Sequence, residues 1–87
     1  MELQTQFETA VSRSKELTQR PSNEELLNLY ALFKQATEGD ISGERPGGFD
    51  FKANAKFDAW LSHKGKAKEL AMKEYVELVD RLHQSYA

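Results

Sequence analysis

Apolar residues recur along the chain at helical intervals, in four stretches set apart by proline, glycine or polar breaks. Leu3, Phe7, Ala10, Val11 and Leu17 share a face of a first helix, with Lys15 at the edge of that stripe. Thr18 to Pro21 closes it, because the residue before a proline disfavours the α conformation. Ser22 followed by Glu25 is a capping-box pattern, in which each side chain satisfies an orphan backbone donor. It opens a second helix with Leu26, Leu27, Tyr30, Phe33 and Thr37 on one face, ending near Gly39. Tyr30 and Lys34 lie four apart, on the same side.

From Gly39 to Phe51 the chain holds four glycines and a proline in thirteen residues. Ile41, Phe49 and Phe51 offer apolar anchors, so this stretch reads as an ordered loop. Asp50 suits the cap of a third helix starting near Phe51. Ala53, Phe57, Trp60 and Leu61 form its apolar face, Lys52 and Lys56 a neighbouring stripe, and Lys64-Gly65 its stop. Met72, Tyr75, Val76, Val79, Leu82 and Tyr86 mark a last helix. Its start is poorly capped: Lys66, Ala67 and Lys68 offer no side-chain acceptor, and two cations oppose the helix dipole. With no strand pattern and no repeat, the chain predicts a small all-α bundle of four helices.

The 87 residues predict a single domain, 1–87, with one core. At 39% hydrophobic and 10% aromatic, that core is modest and the stability marginal. There is no cysteine, which removes disulfides and thiolate chemistry and fits a reducing compartment. No apolar run approaches the roughly 18 residues of a membrane span. The start, MELQTQFET, carries an acid where a signal peptide would be basic. A cytoplasmic protein is the expectation. The net charge of −2 argues against nucleic acid as a partner. Yet Lys52 to Lys73 holds six lysines against Asp58 and Glu69, a span of +4 on a chain otherwise at −6. A local basic patch on an acidic protein suits a small polyanion better than a long one.

Enzyme readings are weak. His63 and His83 are the only histidines, neither stands in a motif that positions a nucleophile, and both read as surface residues. Two isolated histidines fall short of a metal site, so no metal ligand is assigned. Glu24-Glu25 and Asp40/Glu44 belong to a helix start and a solvated loop. GERPGG lacks the lysine and leading strand of a phosphate-cradling loop.

The lysines beside aromatics say more. Lysine is a compact cation suited to phosphate oxygens, and an aromatic face can hold an adenine by stacking. A groove between helices can take an apolar tail. A nucleotide with a lipid attached would use all three. The plainer account is that exposed lysines solubilise and that Tyr30 and Tyr75 are core residues with one wet edge.

The run from Leu29 to Trp60 resembles the acyl-CoA-binding protein family, whose pattern is LY-x-x-[YF]-KQAT-x-GD, then ERPG, then DFK and K-[WF]-DAW. The chain reads LYALFKQATEGD, ERPGGFDFK and KFDAW at the family's spacing, and KELAMKEYVELVDRL matches its last helix. The resemblance covers essentially all of the chain. It implies a four-helix bundle of up-down-down-up topology, without enzymatic activity or cofactor, that carries medium- and long-chain acyl-CoA thioesters in the cytosol. Each apolar stripe is used once within such a bundle, so a monomer is expected, meeting acyl-CoA-using enzymes or membranes only transiently. Matched position by position, Tyr30, Lys34, Lys56 and Tyr75 fall on the residues that hold the adenine and phosphorylated ribose. Phe33 stands among them, and Lys15 and Lys52 match further basic contacts to the coenzyme A head group. Phe7, Ala10, Leu26 and Leu27 fall where the family lines its acyl groove.

The chain departs from the pattern at four places. Phe33 replaces a frequent tyrosine, so ring packing stays and a hydroxyl contact goes. Phe57 replaces a frequent tryptophan. Gly48 stands where a larger apolar residue is common, leaving the loop looser or the tail's exit more open. Ala67 stands where a serine or threonine often caps the last helix.

Overall fold

The computed structural model describes residues 2–86; Met1, Ala87 and the side chain of Tyr86, which the spacing sets on an apolar face, lie outside the described residues. Four helices follow one another: α1 (Leu3–Ser14), α2 (Asn23–Thr37), α3 (Phe51–Leu61) and α4 (Lys68–Tyr86). The Ser22/Glu25 capping box forms in full at α2, and the Asp50 carboxylate accepts from the Ala53 N–H at α3. Gly39 and Gly65 take positive φ, +84° and +90°, the conformation a glycine adopts without steric cost where a helix must stop. Helix α1 ends earlier than its apolar spacing suggests. Lys15 is its C-cap, and Leu17 packs on the core from the connection that follows.

The helices pack in the order α1–α4–α2–α3: only these successive pairs approach closely among the described residues. Contacts along each pair give the directions. Phe7 meets Tyr75 and Arg13 meets Asp80, so α1 and α4 run parallel. Glu24 lies across from Ser85 and Asn28 across from Glu77, so α2 opposes α4. Tyr30 meets Lys56 and Lys34 meets Trp60, so α3 runs with α2. This is the up-down-down-up arrangement. The core is built where α4 faces its two neighbours, from Phe7, Leu29, Leu32, Tyr75, Leu78, Val79 and Leu82. Helix α3 contributes no fully buried residue.

Helix α2 has two apolar faces, and the spacing picked the wetter one. Leu29, Ala31, Leu32 and Ala36 are buried toward the core. Leu26, Leu27 and Tyr30 are half-buried, while Phe33 and Thr37 are exposed. That second face looks into the space left because α1 does not close onto α2.

The loop from Gly39 to Asp50 is ordered, but not by the anchors its sequence offers. Phe49 is 97% exposed and Phe51 80%, so of the three only Ile41 is even half-buried. Polar contacts hold the loop instead. The Asn54 side chain donates to the carbonyls of Gly47 and Asp50. Arg45 pairs with Asp58 and lies 4.9 Å over the Phe57 ring, so the phenylalanine at that departure is packed by a cation. At the other end Asp40 accepts from the Gly65 N–H at 2.7 Å and from the Gln35 amide at 2.9 Å. Buried Gln35 also donates to the Lys66 carbonyl, which ties α2, the loop and the start of α4 into one unit.

Candidate functional site

Tyr30 is where the open surfaces meet. Its ring lies between two lysine ammonium groups, Lys56 at 5.1 Å and Lys34 at 5.9 Å from the ring centre. Lys34 is also 5.6 Å from the centre of the Trp60 ring. These distances are within reach of the cation–π attraction that steadies an ammonium over an aromatic face. The helices make the meeting unavoidable: Tyr30 and Lys34 are one turn apart on α2, and Lys56 and Trp60 one turn apart on parallel α3.

Two grooves run from this point. The one between α2 and α3, about 460 Å³, is the more apolar and is walled by Leu26, Leu27, Tyr30, Phe51 and Ala55, with Lys52, Lys56 and Arg20 along its rim. The one between α1, α2 and α4, about 330 Å³, is walled by Leu26, Tyr30, Phe33, Tyr75 and Ser14, with Lys15 at its edge. Leu26 and Tyr30 line both, so the two grooves adjoin at α2. A third recess of about 240 Å³ lies under the loop, against Tyr30, Lys56 and Trp60.

Aromatic packing builds the floor. Phe7 stacks on Phe33 at 5.9 Å and meets Tyr75 edge-on at 5.2 Å. The Tyr75 hydroxyl donates to Ser14 Oγ at 3.3 Å, and Ser14 donates in turn to the Val11 carbonyl. Burial pushes the Tyr75 phenol up from its ordinary range, so it stays a neutral donor. Phe33 keeps the ring contact expected of it and, lacking a hydroxyl, adds no polar group.

The residues singled out by sequence thus fall into four groups. Tyr30, Lys34 and Lys56 meet directly. Lys15, Phe33 and Tyr75 stand on the α1/α2 groove, and Lys52 with Leu26 and Leu27 on the α2/α3 groove. Phe7 and Ala10 do not line the groove that holds Leu26 and Leu27. They are 3% and 2% exposed in the core, where Phe7 backs Phe33. Sequence reasoning took Trp60 for a packing residue only and Phe51 for a loop anchor, and passed over Ser14 and Arg20. For Phe51 the signal was present, since it directly follows the Asp50 cap and its outward turn follows from the helix start. Glu38 was missed too: its Oε2 accepts from Lys34 Nζ at 2.6 Å. That bond is the main reason the Lys34 ammonium is held above its ordinary pKa.

Among the described residues no group of His, Asp and Glu is placed to hold a metal ion, and no helix is long and apolar enough to cross a membrane. The lysines around Tyr30 suit phosphate oxygens, with Glu38 and Glu44 the carboxylates nearby, and the walls beside them are aromatic and aliphatic.

Comparison with known proteins agrees with this chemistry. Residues 4–79 match the family model described as acyl CoA binding protein. An acyl-CoA-binding protein homolog of Drosophila melanogaster is 49% identical over 82 residues, 94% of this chain and 95% of its own. The acyl-CoA-binding protein of Saccharomyces cerevisiae is 49% identical over 81 residues, 93% of each chain. The crystal structure of acyl-CoA-binding protein 2 of Oryza sativa superposes with a TM-score of 0.91 at 43% identity, over 95% of this chain and 90% of that one.

Proposed function

The chain belongs to the acyl-CoA-binding protein family, and we propose that it binds medium- and long-chain acyl-CoA thioesters and carries and buffers them in the cytosol, without transforming them. The observation that carries the reading is Tyr30 between Lys34 and Lys56 at the junction of an aromatic and an aliphatic groove. The coenzyme A head group supplies a flat base and phosphates to that junction. Tyr30, Phe33 and Tyr75 offer ring faces, and Lys15, Lys34, Lys52 and Lys56 neutralise the phosphates. Each well-made charged hydrogen bond contributes about 1.5–3 kcal/mol. The tail lies along Leu26 and Leu27, with Phe51 and Ala55 opposite, gaining about 0.8 kcal/mol per buried methylene. Phe7 backs Phe33 and Tyr75 from the core, beside buried Ala10.

The two anchors divide the work, so neither coenzyme A nor the free acid alone binds as the ester does. No side-chain set here activates a water against the thioester, and the ester leaves as it came. The protein acts as a monomer, its core-facing stripes being used within the bundle. Loading and release take place through transient contact with membranes or acyl-CoA-using enzymes. Phe51, exposed on the α2/α3 groove, and Phe49, exposed two residues before it, support such contact and are also what a plain protein- or membrane-interaction module would display.

Isothermal titration of delipidated protein with palmitoyl-CoA, coenzyme A and palmitate separates these readings. Tight one-to-one binding of the ester, with both fragments much weaker, supports the carrier. Equal, weak heats for all three would leave the interaction module.

A further inference from the structure

Among the described residues, three of the four lysines around the grooves make no ion pair; Lys34 alone has its ammonium on a carboxylate of the same chain. Glu38 reaches it from one turn further along, at the C-cap of α2. An acid at that end of a helix faces the negative pole of the helix dipole, so the helix itself gives no reason for it. Nor does Lys34 need Glu38 to stay in place, since the Tyr30 and Trp60 rings already flank its ammonium. The Lys34–Glu38 pair is of the exposed i,i+4 kind, which contributes little to folding.

We propose that Glu38 is an internal competitor for the phosphate site: a carboxylate that occupies Lys34 in the empty protein and lowers its affinity for the phosphorylated head group. The proposal rests on the reading of Lys34 as a phosphate contact. A phosphate approaching Lys34 must displace the carboxylate or sit beside it, and both cost binding free energy. Glu38 thereby sets how readily the loaded protein gives up its ester. The acyl groove has no part in this, and recognition of the tail is untouched.

The test is isothermal titration with palmitoyl-CoA of the wild type, Glu38→Gln, Lys34→Ala and the double variant, at low and at high salt. Circular dichroism checks that each is folded, and palmitate serves as the tail-only control. Glu38→Gln should bind the ester about two- to fivefold more tightly at low salt, the size expected of one exposed ion pair that the phosphate no longer has to displace. The gain should shrink as salt rises, be absent for palmitate, and disappear on the Lys34→Ala background. If Glu38→Gln binds with unchanged or lower affinity while Lys34→Ala weakens binding, Lys34 is a ligand contact but Glu38 does not compete for it. If Lys34→Ala itself binds as the wild type does, the head-group placement fails, and the competition fails with it.

Discussion

The ammonium of Lys56 lies 5.1 Å from the centre of the Tyr30 ring and, among the described residues, in no ion pair. A cation held over an aromatic face and left without a counter-charge is in place for an anion that also brings a flat ring. Lys56→Ala should therefore weaken palmitoyl-CoA binding by about 1.5–3 kcal/mol, the worth of a charged hydrogen bond. Helicity should not change, because the side chain holds no part of the fold. Titration calorimetry with circular dichroism checks both, and an unchanged dissociation constant would show that the head group lies elsewhere.

The start of α4 lacks a side-chain cap. The Ala67 carbonyl accepts from the Ala71 N–H, which makes Ala67 the capping position, and a methyl group cannot accept from the orphan donors beyond it. Ala67→Ser should add about 1 kcal/mol. In a domain of this size that raises the melting temperature by about 4–8 °C. A thermal melt that does not move would discard this account.

His63 is held as a neutral ring. Lys66 Nζ lies 3.0 Å from Nδ1, where a lysine can only donate, which leaves Nε2 to donate to the Asn28 side chain. Burial first, then the Lys66 charge, lowers its pKa below 6.5, partly opposed by Glu74. The unfolded chain then takes up this proton more readily than the folded one, so stability is complete above about pH 6.5 and declines as pH falls toward the folded pKa. In His63→Gln this part of the pH profile should flatten. Urea midpoints between about pH 7 and pH 5 provide the check.

Asp40 acts at lower pH. The Gly65 N–H, and after it the Gln35 amide, hold its carboxyl below the usual 3.8. Its contribution is present above that value and lost as pH falls through the folded pKa. Asp40→Asn should lower stability at neutral pH and shallow the acid limb below about pH 4. Identical acid limbs for the variant and the wild type would mean that these two hydrogen bonds hold nothing together.

The four helices and their caps were legible because they rest on local chemistry. Ser22 with Glu25 and Asp50 with Ala53 satisfy backbone donors three residues away, and Gly39 and Gly65 stop helices by their own freedom at positive φ. Lys34 beside Tyr30 was likewise legible as a one-turn neighbour, and the resemblance to the family implied that Tyr30, Lys34 and Lys56 share one site. Tertiary structure decided what lies across from what. The spacing set Leu26, Leu27, Tyr30, Phe33 and Thr37 on one face, and did not show that α4 covers Leu29 while Tyr30 stays half-buried beside open grooves. It made Phe49 and Phe51 look like anchors, since an apolar side chain does not carry its neighbours in its sequence; the family resemblance set Phe7 along the acyl groove, and the structure buries it in the core. The cleft itself comes from helix order. Because α4 lies between α1 and α2, those two cannot close on each other, and the second apolar face of α2 stays open.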